Sequence, residues 1–319
     1  MEIEIGEKFS CLTFNGFSLA DEFPDELALD EDTWALRGLP VGLEAHWQEW
    51  LGSLRIDELR RSNFVLCATA PSQNPAVLDQ ENQELTQSLY YFTFGLLLQG
   101  VPEYDEGYTL AGANVEGEIQ VRQYGELNEY FPSYGIPLFN VGVAELNRAF
   151  SLANKLDRIY RACNNWLRLR EGLKILFQGS EEKDSGDRLH QFVRALEALI
   201  KPEVGTSRTQ FAHRAQTFTI ANPETRDTLL QIFDIRSKVE HVHSPLDALN
   251  GTREQRITLG NLRTRQVDVL SRFALTHVLE SELLLEVFRT NDSIEEFWQR
   301  PDHERLQAWG NRLNLSNVQ

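Results

Sequence analysis

The stretch that decides the fold of the C-terminal half is Leu189-His190-Gln191-Phe192-Val193-Arg194-Ala195-Leu196-Glu197-Ala198-Leu199. Its apolar residues recur at intervals of three and four, which is the spacing of one face of an α-helix. The apolar stripe comprises Leu189, Phe192, Val193, Leu196, Leu199 and Ile200, and it ends before Pro202. Because a helix with such a face buries it against neighbouring elements, the stretch predicts one helix of a packed bundle.

The pattern is helical from about residue 143 to the end of the sequence. A strong helix start lies at Asn222-Pro223-Glu224, which combines an Asn cap, a Pro at the first helical position and an acid in the first turn. We expect this helix to be stopped by Ser244-Pro245. Further helices are predicted over residues 208–219, 261–289, 293–299 and 301–313.

Residues 1–142 have a mixed character. Strands are predicted at residues 1–14 and 63–70, helices at 42–61 and 79–99, and a β-hairpin at Asn114-Val115-Glu116-Gly117. The acidic run at residues 21–32 is interpreted as a solvated loop, with a regulatory acidic tail as the alternative. The predicted fold class is therefore α+β overall. A mixed α/β domain over residues 1–142, acting as a sensor or in target recognition, precedes an all-α bundle over residues 143–319.

The chain has 319 residues, of which 41% are hydrophobic, and a net charge of −17. This charge argues against broad, nonspecific binding of nucleic acid, because phosphate repels such a surface. The charge is uneven: residues 1–184 carry −16, residues 185–275 carry +3 and the remainder carries −4. A small cationic region within an acidic body favours selective capture of one strand.

No stretch approaches the roughly 18 apolar residues that a membrane span requires, so no membrane association is expected. The N-terminus lacks the layout of a signal peptide, and the three cysteines are scattered. These features predict a protein of the reducing cytoplasm. The sequence offers neither a phosphate-cradling glycine loop nor a serine-nucleophile signature, and no cofactor is expected.

Arg236 and His241, with four residues between them, lie near the predicted end of the helix that starts at Asn222. A guanidinium can hold a phosphate in a fixed fork, and an imidazole can transfer a proton near neutral pH. Metal-free cleavage of an RNA backbone requires these two properties together.

The same interval separates Arg208 from His213 and Arg272 from His277, so spacing alone does not identify the site. His277 falls on an apolar helical stripe, and His213 lies among Phe211, Ala212 and Ala215. We therefore interpret Arg236/His241 as the only one of the three pairs that lies close to a helix terminus and can reach a ligand.

Three segments in this order resemble the Apea-like kind of HEPN domain: the stretch beginning at Leu189, then Phe211-Ala212-His213-Arg214-Ala215, then Phe233-Asp234-Ile235-Arg236-Ser237-Lys238-Val239-Glu240-His241. The resemblance covers about residues 146–290. It implies a helical bundle that forms homodimers and, in active members, a metal-independent endoribonuclease. It also implies a toxin or antiviral defence role, for which a protein or phage-derived trigger is a candidate partner.

The resemblance assigns catalysis to Arg236 and His241, with Ser237 as the polar residue that follows the arginine. Positions five apart differ by about 140° around a helix, so these two side chains do not share one face. If two such helices pack antiparallel across a two-fold axis, the arginine of one subunit approaches the histidine of the other. The implied reaction is attack of a ribose 2′-OH on the adjacent phosphorus, which requires RNA.

The supporting residues have two interpretations each. Glu240 either forms a helical ion pair with Arg236, matched by Asp234 with Lys238, or restrains Arg236 in an idle state. Glu197 and Arg194 are ion-pair partners within the bundle or supports for Arg236.

His241 and His243 also suit a helix C-terminus, where a protonated imidazole is favoured by the dipole. With Glu240 they form a weak metal candidate that lacks a fourth ligand, and no metal site is predicted. The alternative to a ribonuclease is a catalytically inactive HEPN module for binding or dimerisation.

Overall fold

The computed structural model describes residues 1–20, 22–40, 45–203 and 205–318. These residues form a six-stranded antiparallel sheet and 12 α-helices, which confirms the predicted α+β class. They divide into two compact units. The first comprises Met1–Glu129 and Leu138–Asp157, and the second comprises Tyr130–Pro137 and Arg158–Gln319. The domain boundary proposed between residues 142 and 143 stays a prediction.

The first unit contains the whole sheet and the first four helices. In chain order its elements are β1 (Glu7–Asn15), β2 (Glu26–Ala28), β3 (Thr33–Leu36), α1 (Ala45–Leu51), α2 (Ser53–Arg60), β4 (Ser62–Pro71), α3 (Gln80–Gln99), β5 (Glu106–Val115), β6 (Glu118–Glu126) and α4 (Val143–Arg161), of which α4 extends to the last residues of this unit and beyond. The strand order is β2-β3-β4-β1-β5-β6.

Strand β1 lies inside the sheet, paired antiparallel with β4 and β5, and every residue after Glu7 is buried. Its buried Lys8 extends Nζ to Asp79 Oδ1 at 2.6 Å and to Glu81 Oε2 at 2.9 Å. Asp79 also caps α3 by accepting the Glu81 N–H. The hydrogen bond from Lys8 lowers the pKa of Asp79. One carboxylate therefore ties the start of α3 to the strand beneath it.

The predicted hairpin is confirmed. Val115 pairs with Glu118, which leaves a two-residue turn of Glu116 and Gly117 with φ of 55° and 93°. Positive φ at both central positions defines a type I′ turn, whose twist matches that of the flanking strands.

Two predictions for this unit are corrected. The acidic run is not a loop throughout, because β2 pairs with β3 there; β2 is a three-residue edge strand with mostly exposed side chains, which explains its polar sequence. Asp21 lies outside the described residues. The helix predicted over residues 42–61 is two helices, separated at Gly52 with φ of 82°, and residues 41–44 lie outside the described residues.

The second unit is helical. Its helices are α5 (Leu167–Glu181), α6 (Ser185–Ile200), α7 (Ser207–Ala215), α8 (Pro223–Glu240), α9 (Arg253–Glu280), α10 (Glu282–Val287), α11 (Asn291–Gln299) and α12 (Asp302–Trp309), with 3₁₀ turns at Pro245–Ala248 and Leu315–Asn317. Helix α6, which carries the stretch that begins at Leu189, packs against α5, α8 and α9. Its predicted apolar stripe is fully buried in these contacts.

The largest boundary error is the helix predicted over residues 261–289. Helix α9 begins earlier, at a capping box in which the side chain of Thr252 accepts the Gln255 N–H and the side chain of Gln255 accepts the Thr252 N–H. It ends at Glu280. The next residue, Ser281, caps α10 because its side chain accepts the Leu284 N–H. Apolar periodicity therefore merged two helices that local capping separates.

Gly95 of α3 provides a test of packing within the first unit. A Cβ at this position would lie 2.3 Å from the backbone oxygen of Ala149 in α4. We expect Gly95→Ala to lower the free energy of unfolding by about 1–3 kcal/mol, because neither helix backbone yields cheaply. The measurement is the urea midpoint. The control is Gly260→Ala in α9, where a Cβ meets side chains no closer than 3.5 Å. That change should stabilise by about 0.5–1 kcal/mol, and a loss at Gly260 equal to that at Gly95 contradicts the interpretation.

Candidate functional site

The candidate site lies at the C-terminal end of α8. The helix starts as predicted, with the Asn222 side chain accepting the Thr225 N–H at 2.7 Å. It ends at Glu240, before Pro245 is reached, so the predicted stop at the proline is wrong. The Val242 N–H donates to Val239 O at 3.0 Å and the His243 N–H to Lys238 O at 2.9 Å. This pair of bonds is a Schellman motif, with Val242 at the left-handed position.

Arg236 is held by two carboxylates. Its Nη2 lies 3.1 Å from Glu197 Oε2, which reaches across from α6, and its Nη1 donates to Glu240 one turn along α8. The side chains of Arg236 and Glu197 are 15% and 16% exposed, whereas Glu240 is 43% exposed. The guanidinium also lies 5.5 Å from the ring of Phe233. Glu197 therefore contacts Arg236, which its interpretation as a support for Arg236 requires.

The environment of Glu197 is unfavourable for its charge. Burial raises the pKa of this carboxyl, and the positive charge of Arg236 offsets part of that effect. The ion pair thus exists in a poorly solvated position, where each partner depends on the other.

His190 also belongs to this cluster, although the sequence did not predict it as a site residue. It lies on α6 seven positions before Glu197, and its Nε2 is buried without a hydrogen-bond partner among the described residues. Burial lowers the pKa of His190, and the nearby positive charges of Arg236 and Arg194 lower it further. The spacing of His190, Arg194 and Glu197 at i, i+4 and i+7 was the available signal, because these positions share one helix face.

The remaining predicted residues are more exposed. Arg194 is exposed and donates to Gln191 at 3.4 Å. Ser237 is half-buried, and its carbonyl accepts the His241 N–H at 3.3 Å. His241 and His243 are exposed. Within the described part of the chain, no hydrogen bond or ion pair joins Arg236 to His241.

The argument that excluded Arg208/His213, namely that only Arg236/His241 lies close to a helix terminus, is wrong. Helix α7 ends at Ala215, so His213 also lies in a last turn, and its side chain is 58% exposed beside Asp302. Arg208 donates to both carboxylate oxygens of Asp234, at 2.6 and 2.7 Å. The predicted pairing of Asp234 with Lys238 is replaced by this contact between helices.

His277 lies on an apolar face of α9 as interpreted, but it too is in a last turn, because α9 ends at Glu280, so the claim that only Arg236/His241 lies close to a helix terminus is wrong here as well. The residue is half-buried in α9, its Nε2 lies 2.6 Å from the carbonyl oxygen of Trp309, and its ring stacks on Phe273. Its ring is thus occupied by packing.

Among the residues that the structure describes, no group of three or more His, Cys, Asp or Glu side chains is arranged to hold a metal ion. None of the described helices combines the length and apolar character needed to cross a membrane. Comparisons with protein-family models, with curated proteins and with solved structures give no match.

The electrostatics of His190 can be measured directly. Because the folded chain holds its pKa below the ordinary 6.5, the unfolded chain takes up this proton first as the pH falls. The contribution of His190 to stability is present above about pH 6.5 and is lost as the pH falls toward the folded pKa. We expect Arg236→Gln to raise the pKa of His190 in an NMR titration, because one positive charge is removed. Arg208→Gln is the control, and an equal shift in both variants would argue for a general charge effect.

Val242 provides a test of the helix end. This β-branched residue has φ of 59° and is 94% exposed, so its side chain contributes strain without contacts to offset it. We expect Val242→Gly to raise the free energy of unfolding by about 1–2 kcal/mol. Val242→Ala, which keeps the Cβ, should gain much less. Equal urea midpoints for wild type and Val242→Gly would show that the residue leaves this conformation in solution.

Proposed function

We propose that this chain is a metal-independent endoribonuclease of the HEPN type, acting on RNA as a homodimer in a toxin or antiviral defence role. The observation that carries the proposal is the arrangement at the end of α8. A guanidinium is fixed there by a carboxylate from α6, and an exposed imidazole follows at the helix terminus.

The proposed reaction needs one base and one cationic group. His241 takes the proton of a ribose 2′-OH, and the resulting oxygen attacks the adjacent phosphorus. The bond to the 5′-oxygen breaks, and that oxygen takes a proton from water and leaves as a 5′-hydroxyl, while the protonated imidazole of His241 returns its proton to solvent. Arg236 balances the charge that develops on the phosphoryl oxygens. The other product is a 2′,3′-cyclic phosphate.

The active centre is proposed to use two subunits. Arg236 and His241 are separated by about 140° around their helix. A second copy packed antiparallel across a two-fold axis brings the imidazole of one subunit toward the guanidinium of the other. The cleft then contains two such pairs.

The ion pairs of Arg236 suit entry of a phosphate. The i, i+4 pair with Glu240 is the more exposed one and stabilises by only about 0.2–0.5 kcal/mol, so a phosphate can displace this carboxylate. Glu197 is more buried and keeps the guanidinium in position. This ordering gives Glu240 the restraining role and Glu197 the supporting role.

The rest of the chain supports a selective ribonuclease. The net charge of −17 opposes general binding of nucleic acid, while residues 185–275 carry +3. The described cysteines Cys11, Cys67 and Cys163 are free thiols, in keeping with a cytoplasmic protein. The N-terminal residues 1–142 would sense a protein or phage-derived trigger or select the target.

A second candidate function is an inactive HEPN module that binds or dimerises. The observation that favours it is the neutralisation of Arg236 by two carboxylates at once.

Single substitutions separate the ribonuclease from the inactive module. Wild type should cleave RNA in the presence of EDTA, and Arg236→Ala or His241→Ala should lower the rate by at least about 100-fold, because each removes an acid–base or charge-stabilising group. His213→Ala, at the same interval from an arginine, is the matched control and should leave the rate unchanged.

Mixing the two inactive variants then tests the shared cleft. In a random mixture, half of the dimers carry one intact Arg236/His241 pair, so activity should return to about one quarter of the wild-type level. Failure of mixing to restore activity would contradict a centre built from one residue of each subunit. Intact RNA with wild type at high concentration, in the presence of a lysate of phage-infected cells, would favour the inactive module.

A further inference from the structure

A polar cavity lies in the helical unit, away from the candidate site at the C-terminal end of α8. It is lined by the first two turns of α8, by α9 and by the 3₁₀ turn Leu315–Asn317, and its volume is about 770 Å³. This volume lies within the range of about 300–1,000 Å³ that is typical of small-molecule sites.

Arg263 of α9 brings to this cavity a positive charge that no carboxylate of the described residues contacts. Its Nε and Nη2 donate to Gln231 Oε1 at 3.0 and 2.8 Å, and its Nη1 donates to Gln266 Oε1 at 2.7 Å. These acceptors are neutral amides, and no carboxylate of the described residues lies within 4.0 Å of the guanidinium. Burial lowers the pKa of Arg263, and the negative charge of Glu224 offsets part of that effect. By contrast, the buried Arg272 of the same helix pairs with Asp268 at 2.6 Å.

Two further groups in the lining have unused hydrogen-bonding capacity. Arg265 Nε is buried and, in the part of the chain that the structure describes, has no partner. Its guanidinium lies against Gly135, where a Cβ would come within 2.7 Å of Nη2. Thr225 is 2% exposed, and its Oγ1 also has no partner there. A buried hydroxyl without a hydrogen bond costs about 1–3 kcal/mol, so an acceptor that enters the cavity recovers this cost.

We propose that this cavity binds a small organic anion, whose phosphate monoester or carboxylate group is held by Arg263, Arg265 and the hydroxyl of Thr225. A guanidinium matches both oxyanions, and a charge-assisted hydrogen bond from a hydroxyl strengthens the contact. The exposed Glu224 and Asp227 lie at the rim and repel ligands that carry more than one anionic group. The cavity therefore selects a molecule with one anionic group.

The site is separate from Arg236. Thr225 and Arg236 are 11 positions apart on α8, which corresponds to about 16 Å along the helix axis. The proposal does not depend on ribonuclease activity, since it is tested by binding alone.

The probes are adenosine 5′-monophosphate, butyrate and adenosine, titrated into the full chain by calorimetry and followed through the Nε–H signals of Arg263 and Arg265 in NMR spectra. We expect adenosine 5′-monophosphate or butyrate to bind and to shift both signals, and adenosine to do neither. Preference between the two anions identifies the phosphate or the carboxylate class. The proposal is overturned if neither anion binds at millimolar concentration, or if adenosine binds equally well.

Substitution of Thr225 tests the site with little risk to folding. Thr225→Val removes a hydroxyl that has no partner among the described residues, so the thermal midpoint should not fall, whereas the anion should bind about tenfold more weakly. The matched control is Thr13→Val in β1, which removes another buried hydroxyl without a described partner and should leave binding unchanged.

Changes in charge test the same site. Arg263→Gln should weaken binding by more than tenfold, and Glu224→Gln should strengthen it about two- to threefold. Wild-type affinity in Thr225→Val, or equal weakening in Thr13→Val, would overturn the assignment even if Arg263→Gln fails to fold.

Discussion

The contact between α6 and α8 determines the candidate site, and its central interaction is the ion pair of Glu197 with Arg236. Both side chains are about 85% buried, and burial raises the pKa of the carboxyl. A charge in such a position is costly without its partner, so loss of Arg236 leaves the Glu197 carboxylate without its ion pair, whereas loss of Glu197 leaves Arg236 with Glu240 alone. The pair consequently fixes how the two helices face each other. It thereby also fixes the positions of His190 on α6 and of Glu240 on α8.

The end of α8 shows how local geometry controls what reaches solvent. The Schellman motif turns the chain at Val242, so that His241 and His243 project from the terminus. A glycine at Val242 would make the same turn without strain, and a helix that continued to Pro245 would place His243 on its surface. At this end of α8 both imidazoles are exposed, whereas Arg236 is largely buried.

Capping residues and apolar periodicity predicted much of this fold. Asn222 marked the start of α8, and the sequence Asn114-Val115-Glu116-Gly117 predicted a hairpin, because each signal depends on hydrogen bonds within a few residues. Strand β2 was missed because an edge strand needs no apolar face. The site was predicted only in part. Arg236 and Glu240 are one turn apart and visible in sequence, whereas the contact of Arg236 with Glu197, and the presence of His190 beside it, arise from helix packing between residues about 40 positions apart.

Three arginines of the helical unit have different partners, and the difference has a chemical consequence. Arg272 is almost fully buried and has a buried carboxylate at 2.6 Å, so it serves packing. Arg236 has one buried and one half-exposed carboxylate, so an incoming phosphate competes with Glu240 for the exposed edge of the guanidinium. Arg263 has only amide oxygens, so an anion entering its cavity displaces no charged group. Because the cost of displacing a carboxylate must be met from binding energy, an anion should bind more readily near Arg263 than near Arg236 in the free chain. Under the proposed function, binding at Arg236 then depends on further contacts, which a second subunit and a longer RNA strand would supply.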